Sequence, residues 1–535
     1  MNYDVHSGDI LAKAGYQYMQ NSEFEQAEKF FRLALSAGCS NTVELYGFLS
    51  FFADQKLDYV GSWEYIDKSY KILLQEENKG DILFQCTLLI NRADKAKRLG
   101  KFQEAIESYN KILEISPHLY DWQSALDGKL YSLICSCPDN KQVIMAHMKY
   151  NEIYSDLRKK ITVNNFEKEK YKHEKIKIGY MSPDFRQHVM FSFYYVLLSQ
   201  YDKSKFHVTC YQLKSIEDGY TNHLKLMVDD WRNMSGVSTE MLAEQIKSDE
   251  IDILVDVAGH SSNNGLTVFV YRPAPVQISG LGWMETTGLQ ETDYFITDKF
   301  VDPINSNNLM EEPLYLDSQF CYTAREDLPI PEGAPCLDNG YITFGIFNNY
   351  YKFTDNMLEL WKKIMDKIPN SKFLFKCQLY VSESAVCMAQ ERFKKIGLDL
   401  QRIVFEPATS DYMSRYLSVD IALDTYPYPG GGTTCDALYM GVPVISLYGE
   451  RRGSRFGYSI LENIGLGSLA TDNSDEYVEI AVELAKDFQL LDKLHKKIRS
   501  MMLISSVMDS KKYMNQIETY YNALNHENAT SIFFL

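Results

Sequence analysis

The sequence predicts an α plus α/β protein. A domain of paired-helix repeats, residues 1–165, precedes two Rossmann-like halves, 175–335 and 336–535. Three observations carry this. Residues 8–40 and 86–119 share a helix–turn–helix spacing. A charged stretch poor in apolar pattern, 158–177, then interrupts the chain. Beyond it, short β-rich runs alternate with helical stretches, which implies parallel sheets with crossover helices.

The repeat reading rests on side-chain spacing. Each stretch holds two helical patterns split by a polar turn, Asn21-Ser22 and Leu99-Gly100, with a small residue at the same point of the second helix, Ala27 and Ala105. Phe30, Phe31, Tyr109 and Ile112 follow at helical spacing, and Pro117 ends the second unit. A small residue lets paired helices approach closely while the aromatics fill the groove between pairs, so the units resemble the tetratricopeptide repeat. Residues 62–75 read as the second helix of a divergent unit between them. Such a repeat offers a curved surface to a protein partner.

The α/β reading follows ten runs: KIKIGYM, FHVTCYQL, IDILVDVAG, VQISGLG and YFITD, then YITFGIF, KFLFK, RIVFE, IALDT and VPVISLYG. Two halves facing one another leave a cleft, where ligands of such folds bind. Residues 474–525 read as helical, with a return to brace the first half expected. Asp229-Asp230 reads as an exposed helical stretch without a metal role.

Composition narrows the function. The 535 residues are 45% hydrophobic and 24% charged, ordinary values for a globular chain. A net charge of −17 repels phosphate backbones, so no nucleic-acid partner is expected. The ten cysteines show no zinc spacing, and no metal site is predicted. Residues 1–6 carry neither a basic nor an apolar leader signature, and no window suits a membrane span. The expectation is a reduced, cytoplasmic protein.

Four motifs carry chemistry. In residues 424–455 a strand runs into Gly430, Gly431 and Gly432, and Thr433 and Thr434 then open a helix. Glycines allow close backbone approach, and a helix N-terminus presents N–H groups to an anion. Asp436, in the first turn, either accepts bonds from ribose hydroxyls or caps the helix. In ITFGIFNNYYKFT a strand ends in Asn348-Asn349, and Lys352 follows at its mouth as a point charge suited to a diphosphate. His188 and His260 each follow a strand of the first half, positions suited to acid–base or donor-positioning work.

Taken in order, KIKIGYMSPDFRQH, VDVAGHSSNN, RPAPVQISGLG, DYFITD, FGIFNN, DTYPYPGGGTTCDALYMGVPV and GERRGSR resemble the O-GlcNAc transferase and SPINDLY-like family, glycosyltransferase family 41. The likeness spans nearly the whole chain and is greatest to bacterial, shorter-repeat members. Only residues 299–343 separate DYFITD from FGIFNN, so the long insert of animal forms is missing.

The resemblance implies a two-lobed transferase of the B type, inverting, metal-independent and using a UDP-sugar on a protein acceptor held by the repeats. By position it gives Lys352 to the donor diphosphate, Thr433 and Thr434 to the phosphates, Asp436 to the ribose, and Tyr412 and Arg415 to the uracil side. Asn349 and the glycines Gly431 and Gly432 join the donor site. His188 matches the first active-site histidine, and His260 lies near the second. GlcNAc onto Ser or Thr is the first expectation. The alternatives are glucose onto asparagine, as in related N-glucosyltransferases, and a non-catalytic repeat scaffold. Two departures bear on the sugar. The family's Gly-Tyr-Pro-Gly-Thr reads Gly282-Trp283-Met284-Glu285-Thr286, and Val189 follows His188.

Overall fold

A computed structural model describes residues 7–75, 81–161, 173–324 and 327–525. Residues 1–6, most of the 158–177 stretch and the apolar end Ser531–Leu535 lie outside the described residues. The chain divides into two compact units. One comprises residues 1–132, 349–358 and 375–409, and the other 133–348, 359–374 and 410–535.

The first unit is built on antiparallel helix pairs: Ser7–Gln20 with Phe24–Ser36, Thr42–Gln55 with Tyr59–Gln75, and Ile82–Arg98 with Phe102–Ile115. The pair at 42–75 completes the divergent middle repeat. Ala27 and Ala105 are fully buried, as are Phe31 and Ile112. Close approach is enforced where a ring meets a glycine. A Cβ added at Gly15 would stand 2.4 Å from the Phe31 ring, and one at Gly128 would stand 2.3 Å from Tyr109.

Two sheets follow. The first contains β1 (Ile176–Ser182), β2 (Phe206–Gln212), β3 (Asp230–Asn233), β4 (Ile253–Asp256), β5 (Val276–Ser279), β6 (Tyr294–Asp298) and β7 (Glu312–Leu316). Its order is β3-β2-β1-β4-β5-β6-β7, and every pairing is parallel. The second contains β8 (Ile342–Ile346), β9 (Ser371–Cys377), β10 (Ile403–Pro407), β11 (Ile421–Leu423), β12 (Val444–Leu447) and β13 (Ala470–Thr471), in the order β10-β9-β8-β11-β12-β13. Strand order reverses between β1 and β4, and again between β8 and β11. In open sheets such reversals place ligand crevices at the strands' carboxyl ends.

All ten β-rich runs form strands. Asp230 corrects the helical reading of its stretch, because it opens β3 and its carboxylate accepts from His207 Nε2 at 2.8 Å. β3, β7 and β13 lie toward sheet edges, so the continuous apolar runs of central parallel strands are missing there. The carboxyl-terminal helices separate in role. Ser510–Asn525 turns Tyr513, Met514, Ile517 and Tyr521 into the core under the first sheet, with the Tyr521 hydroxyl 3.0 Å from that of Tyr180. Ser474–Lys486 stays with the second sheet through Tyr477, whose hydroxyl donates to the Asp424 carbonyl. Among the described residues no helix is long and apolar enough to cross a membrane.

Candidate functional site

The site is built at the end of β11. Asp424, 2% exposed, organises the loop that leaves this strand. One carboxylate oxygen accepts from the backbone N–H of Thr425 at 2.8 Å and of Gly430 at 2.7 Å, and from Asn348 Nδ2 at 3.0 Å. The other accepts from the Ser446 hydroxyl on β12. Asn348 in turn accepts from the Thr433 hydroxyl at 2.7 Å. One buried carboxylate thereby ties the glycine loop to the ends of β8 and β12. The helix Gly432–Tyr439 starts directly behind, with Gly431 at its cap position. Its first N–H groups have no intrahelical acceptor by geometry.

Gly430 has no room for a side chain, since a Cβ would stand 2.4 Å from the Thr433 hydroxyl and 2.6 Å from that of Thr434. At Gly432 a Cβ would meet Val189 at 2.5 Å. Val189 belongs to the turn after β1, so this turn and the glycine loop touch. His188, beside it, is half-buried. Its Nδ1 lies 3.7 Å from the Asp184 carboxylate and accepts the Met190 N–H at 3.4 Å. Burial holds its pKa below the ordinary histidine value, against the pull of Asp184.

Asp436 is not a helix cap. Its side chain makes no capping bond and is buried between two phenols. Tyr322 donates to Oδ1 at 2.6 Å and Tyr412 donates to Oδ2 at 2.8 Å. Burial raises the carboxyl pKa to about 6, and the two hydroxyls pull it back down. Tyr412, expected on the base side, thus spends its hydroxyl on Asp436. Arg415 donates to the Ser418 hydroxyl one turn away.

Three expectations change. His260 is 2% exposed, and its Nε2–H donates to the Thr287 carbonyl at 2.7 Å. It packs against the rings of Tyr150, Trp283 and His147, which makes it a core residue and not a group at the strand mouth. Trp283 does not face an open space either. Its indole N–H donates to His147 Nε2 at 3.1 Å, which seats the helix Asn140–Ile153 on the first sheet's loops. Burial drives the His147 pKa to about 3, so it stays the neutral acceptor this bond needs. Glu285 is fully buried and paired with Arg451, whose guanidinium also reaches the carbonyls of Ile134 and Pro427. One Glu285 oxygen takes Arg451 and the Gly453 N–H, and the other is buried without a hydrogen-bond partner. Trp283 therefore serves packing, whereas Val189, the other departure, is exposed and stands against Gly432 of the glycine loop.

In the other unit, Asn349 is exposed and donates to the Tyr351 hydroxyl at 3.1 Å, so Asn348 and not Asn349 holds the glycine loop. Lys352 closes a short 3₁₀ turn, Tyr350–Lys352, and is only 8% exposed. The sequence motifs assign no binding role to Tyr322, Asn348 or Asp424. Asp424 had a signal, since an acid closing a buried strand before a glycine loop needs donors. Tyr322 had none.

Residues 146–323 and 316–517 match glycosyl transferase family 41, and residues 87–119 match the tetratricopeptide repeat. A relative from Solanum lycopersicum, "Probable UDP-N-acetylglucosamine--peptide N-acetylglucosaminyltransferase SPINDLY", is 36% identical over 361 residues, 65% of this chain and 38% of its own. The protein of the same name from Arabidopsis thaliana is 36% identical over 360 residues, 65% and 39% of the two chains. A Caenorhabditis elegans UDP-N-acetylglucosamine–peptide N-acetylglucosaminyltransferase is 23% identical, covering 64% and 40%. The chain thus spans about two fifths of the length of these relatives. A mutant Thermobaculum terrenum O-GlcNAc transferase shares the fold, with a TM-score of 0.82 at 24% identity over 99% of both chains. The chain belongs to glycosyl transferase family 41.

Proposed function

We propose that the protein is an inverting, metal-independent glycosyltransferase that moves GlcNAc from a UDP-sugar to a Ser or Thr hydroxyl of a protein. The observation that carries this is the pairing, at the β11 mouth, of a glycine loop and helix N-terminus with a buried carboxylate, Asp436. Phosphates suit the first, and sugar hydroxyls suit the second. The names of the SPINDLY-type relatives supply the sugar and the peptide acceptor.

In this reading the acceptor oxygen attacks the anomeric carbon from the face opposite UDP. The bond from that carbon to the phosphate oxygen breaks, and negative charge grows on the diphosphate. Lys352, the Thr433 and Thr434 hydroxyls and the helix N-terminus stabilise that charge in place of a metal ion. Lys352 follows Asn348 by four residues, and Asn348 is bonded to Thr433. His188 orients the acceptor. With Nδ1 accepting the Met190 N–H, the neutral ring carries its proton on Nε2 and donates. The acceptor's proton then passes to a donor phosphate oxygen. The repeats hold the acceptor chain as an extended segment. A cytoplasmic setting suits the ten cysteines, none of them in a disulfide and eight of them buried.

Asp436→Ala is expected to weaken UDP binding about 10- to 100-fold at neutral pH, the effect of losing a charge-assisted hydrogen bond. Calorimetry with UDP measures it. Unchanged affinity would remove Asp436 from the donor site.

A further inference from the structure

Asp436 is approached from both halves of the second unit. Tyr412 comes from the connection after β10, and Tyr322 from the connection that leaves β7. Tyr322 is held firmly from behind. Its backbone N–H donates to the Val507 carbonyl at 2.6 Å, and the next N–H, of Thr323, donates to the Ser192 carbonyl at 2.7 Å. Its ring lies 5.9 Å from Phe193 and 6.2 Å from Tyr439, and the residue is 4% exposed. Ser192 and Phe193 belong to the helix Phe191–Ser199, which starts three residues after His188. The first sheet thus places one phenol on a carboxylate that the second sheet carries.

Resting on the reading of Asp436 as the ribose ligand, we propose that Tyr322 is a positioning residue for the donor nucleotide. Its hydroxyl keeps the Asp436 carboxylate ionised and aimed, and a ribose hydroxyl then joins or replaces it on the same group. The consequence is a proton dependence that Tyr322 sets. Burial and the charge of Asp436 push the Tyr322 pKa far up, so the phenol remains a donor throughout the working range. The other titratable groups facing Asp436 are Tyr412, Tyr416 and the Cys435 thiol, and burial pushes the pKa of the last two well up. Arg499 lies behind, its guanidinium 4.4 Å from the centre of the Tyr439 ring.

The sign follows. A ribose hydroxyl donates best to the ionised carboxylate. Nucleotide affinity is then level above the Asp436 pKa of about 6 and falls as pH drops through it, about tenfold per unit. Removing the Tyr322 hydroxyl takes one donor from the anion, so the carboxyl holds its proton to higher pH.

The test is UDP binding to the full-length protein by calorimetry from pH 5 to 8.5, in wild type, Tyr322→Phe and Asp436→Asn, with GDP in parallel. Thermal melting confirms that each variant is folded. The expected result is a Tyr322→Phe midpoint displaced upward by about one pH unit. Its affinity would be about tenfold weaker below the midpoint and near wild type at pH 8.5. Asp436→Asn should bind weakly with a flat profile. A Tyr322→Phe midpoint equal to wild type, or a loss that is uniform across pH, overturns the proposal while leaving the donor site intact. A flat wild-type profile overturns Asp436 as the ribose ligand. Failure of both UDP and GDP to bind overturns the nucleotide reading and this proposal with it.

Discussion

Lys352→Ala is expected to lower kcat by about 10²- to 10³-fold, the usual effect of removing one preorganised group from a developing charge. The ground-state donor already carries a diphosphate, so part of the lysine's attraction is felt before reaction and contributes only to binding. The further charge that appears as the sugar leaves is felt only in the transition state, and that increment controls turnover. Lys352 is 8% exposed, which limits solvent screening of the charge it presents. Donor KM is therefore expected to change less than kcat. Turnover at saturating donor, measured as UDP release, is the readout. A Lys352→Ala protein turning over near the wild-type rate would take the lysine out of the mechanism. Arginine at 352 would keep the charge but alter its geometry, since a planar fork does not replace a compact ammonium.

The largest effect on stability is expected at Arg451. Arg451 is 1% exposed and Glu285 is fully buried, and the two guanidinium amino groups bind one Glu285 oxygen and the carbonyls of Ile134 and Pro427. Glu285 also accepts the Gly453 N–H at 3.1 Å. Burial pushes the Glu285 pKa up, while Arg451 and Arg452 oppose the rise. Arg451→Met leaves that carboxylate without its close cation, although Arg452 remains nearby. Breaking a buried pair from one side costs about 3–5 kcal/mol. Urea unfolding would show this as a lower midpoint with little change in slope. Lys149→Met is the comparison. Its partner Glu152 is an exposed helical neighbour, and its loss should cost about 0.5 kcal/mol or less. Equal effects from the two substitutions would contradict the structural role given to Glu285.

Much of this architecture was legible in the sequence because parallel strands buried on both faces are written as apolar runs. β1, β4, β8 and β12 are of that kind, and each was found. β3 was not. Its residues Asp230–Asn233 are only partly covered and include Asp230 and Arg232, so no apolar pattern marks them. The site divides along the same line. Gly430–Thr434 and Asp436 were visible because glycine and a helix start have local chemical signatures. Tyr322 was not, because it meets Asp436 across 114 positions of chain through an ordinary aromatic. No local rule in the sequence says which of the two neighbouring amides, Asn348 or Asn349, turns inward. The Asp424 carboxylate decides it by drawing Nδ2 of Asn348. Histidines behaved similarly. Position after a strand predicted both His188 and His260 at the mouth, yet the helix Asn140–Ile153 covers His260 through Tyr150.

The central claim is transfer of a sugar from a UDP-sugar to a protein. It is tested most directly by nucleotide release from a panel of UDP- and GDP-sugars, with cell lysate as acceptor and Lys352→Ala as control. The account predicts release from one UDP-sugar, UDP-GlcNAc first, lost in the control and matched by a mass increase on a Ser or Thr of an acceptor protein. Release confined to a GDP-sugar, or no binding of UDP at all, would contradict it.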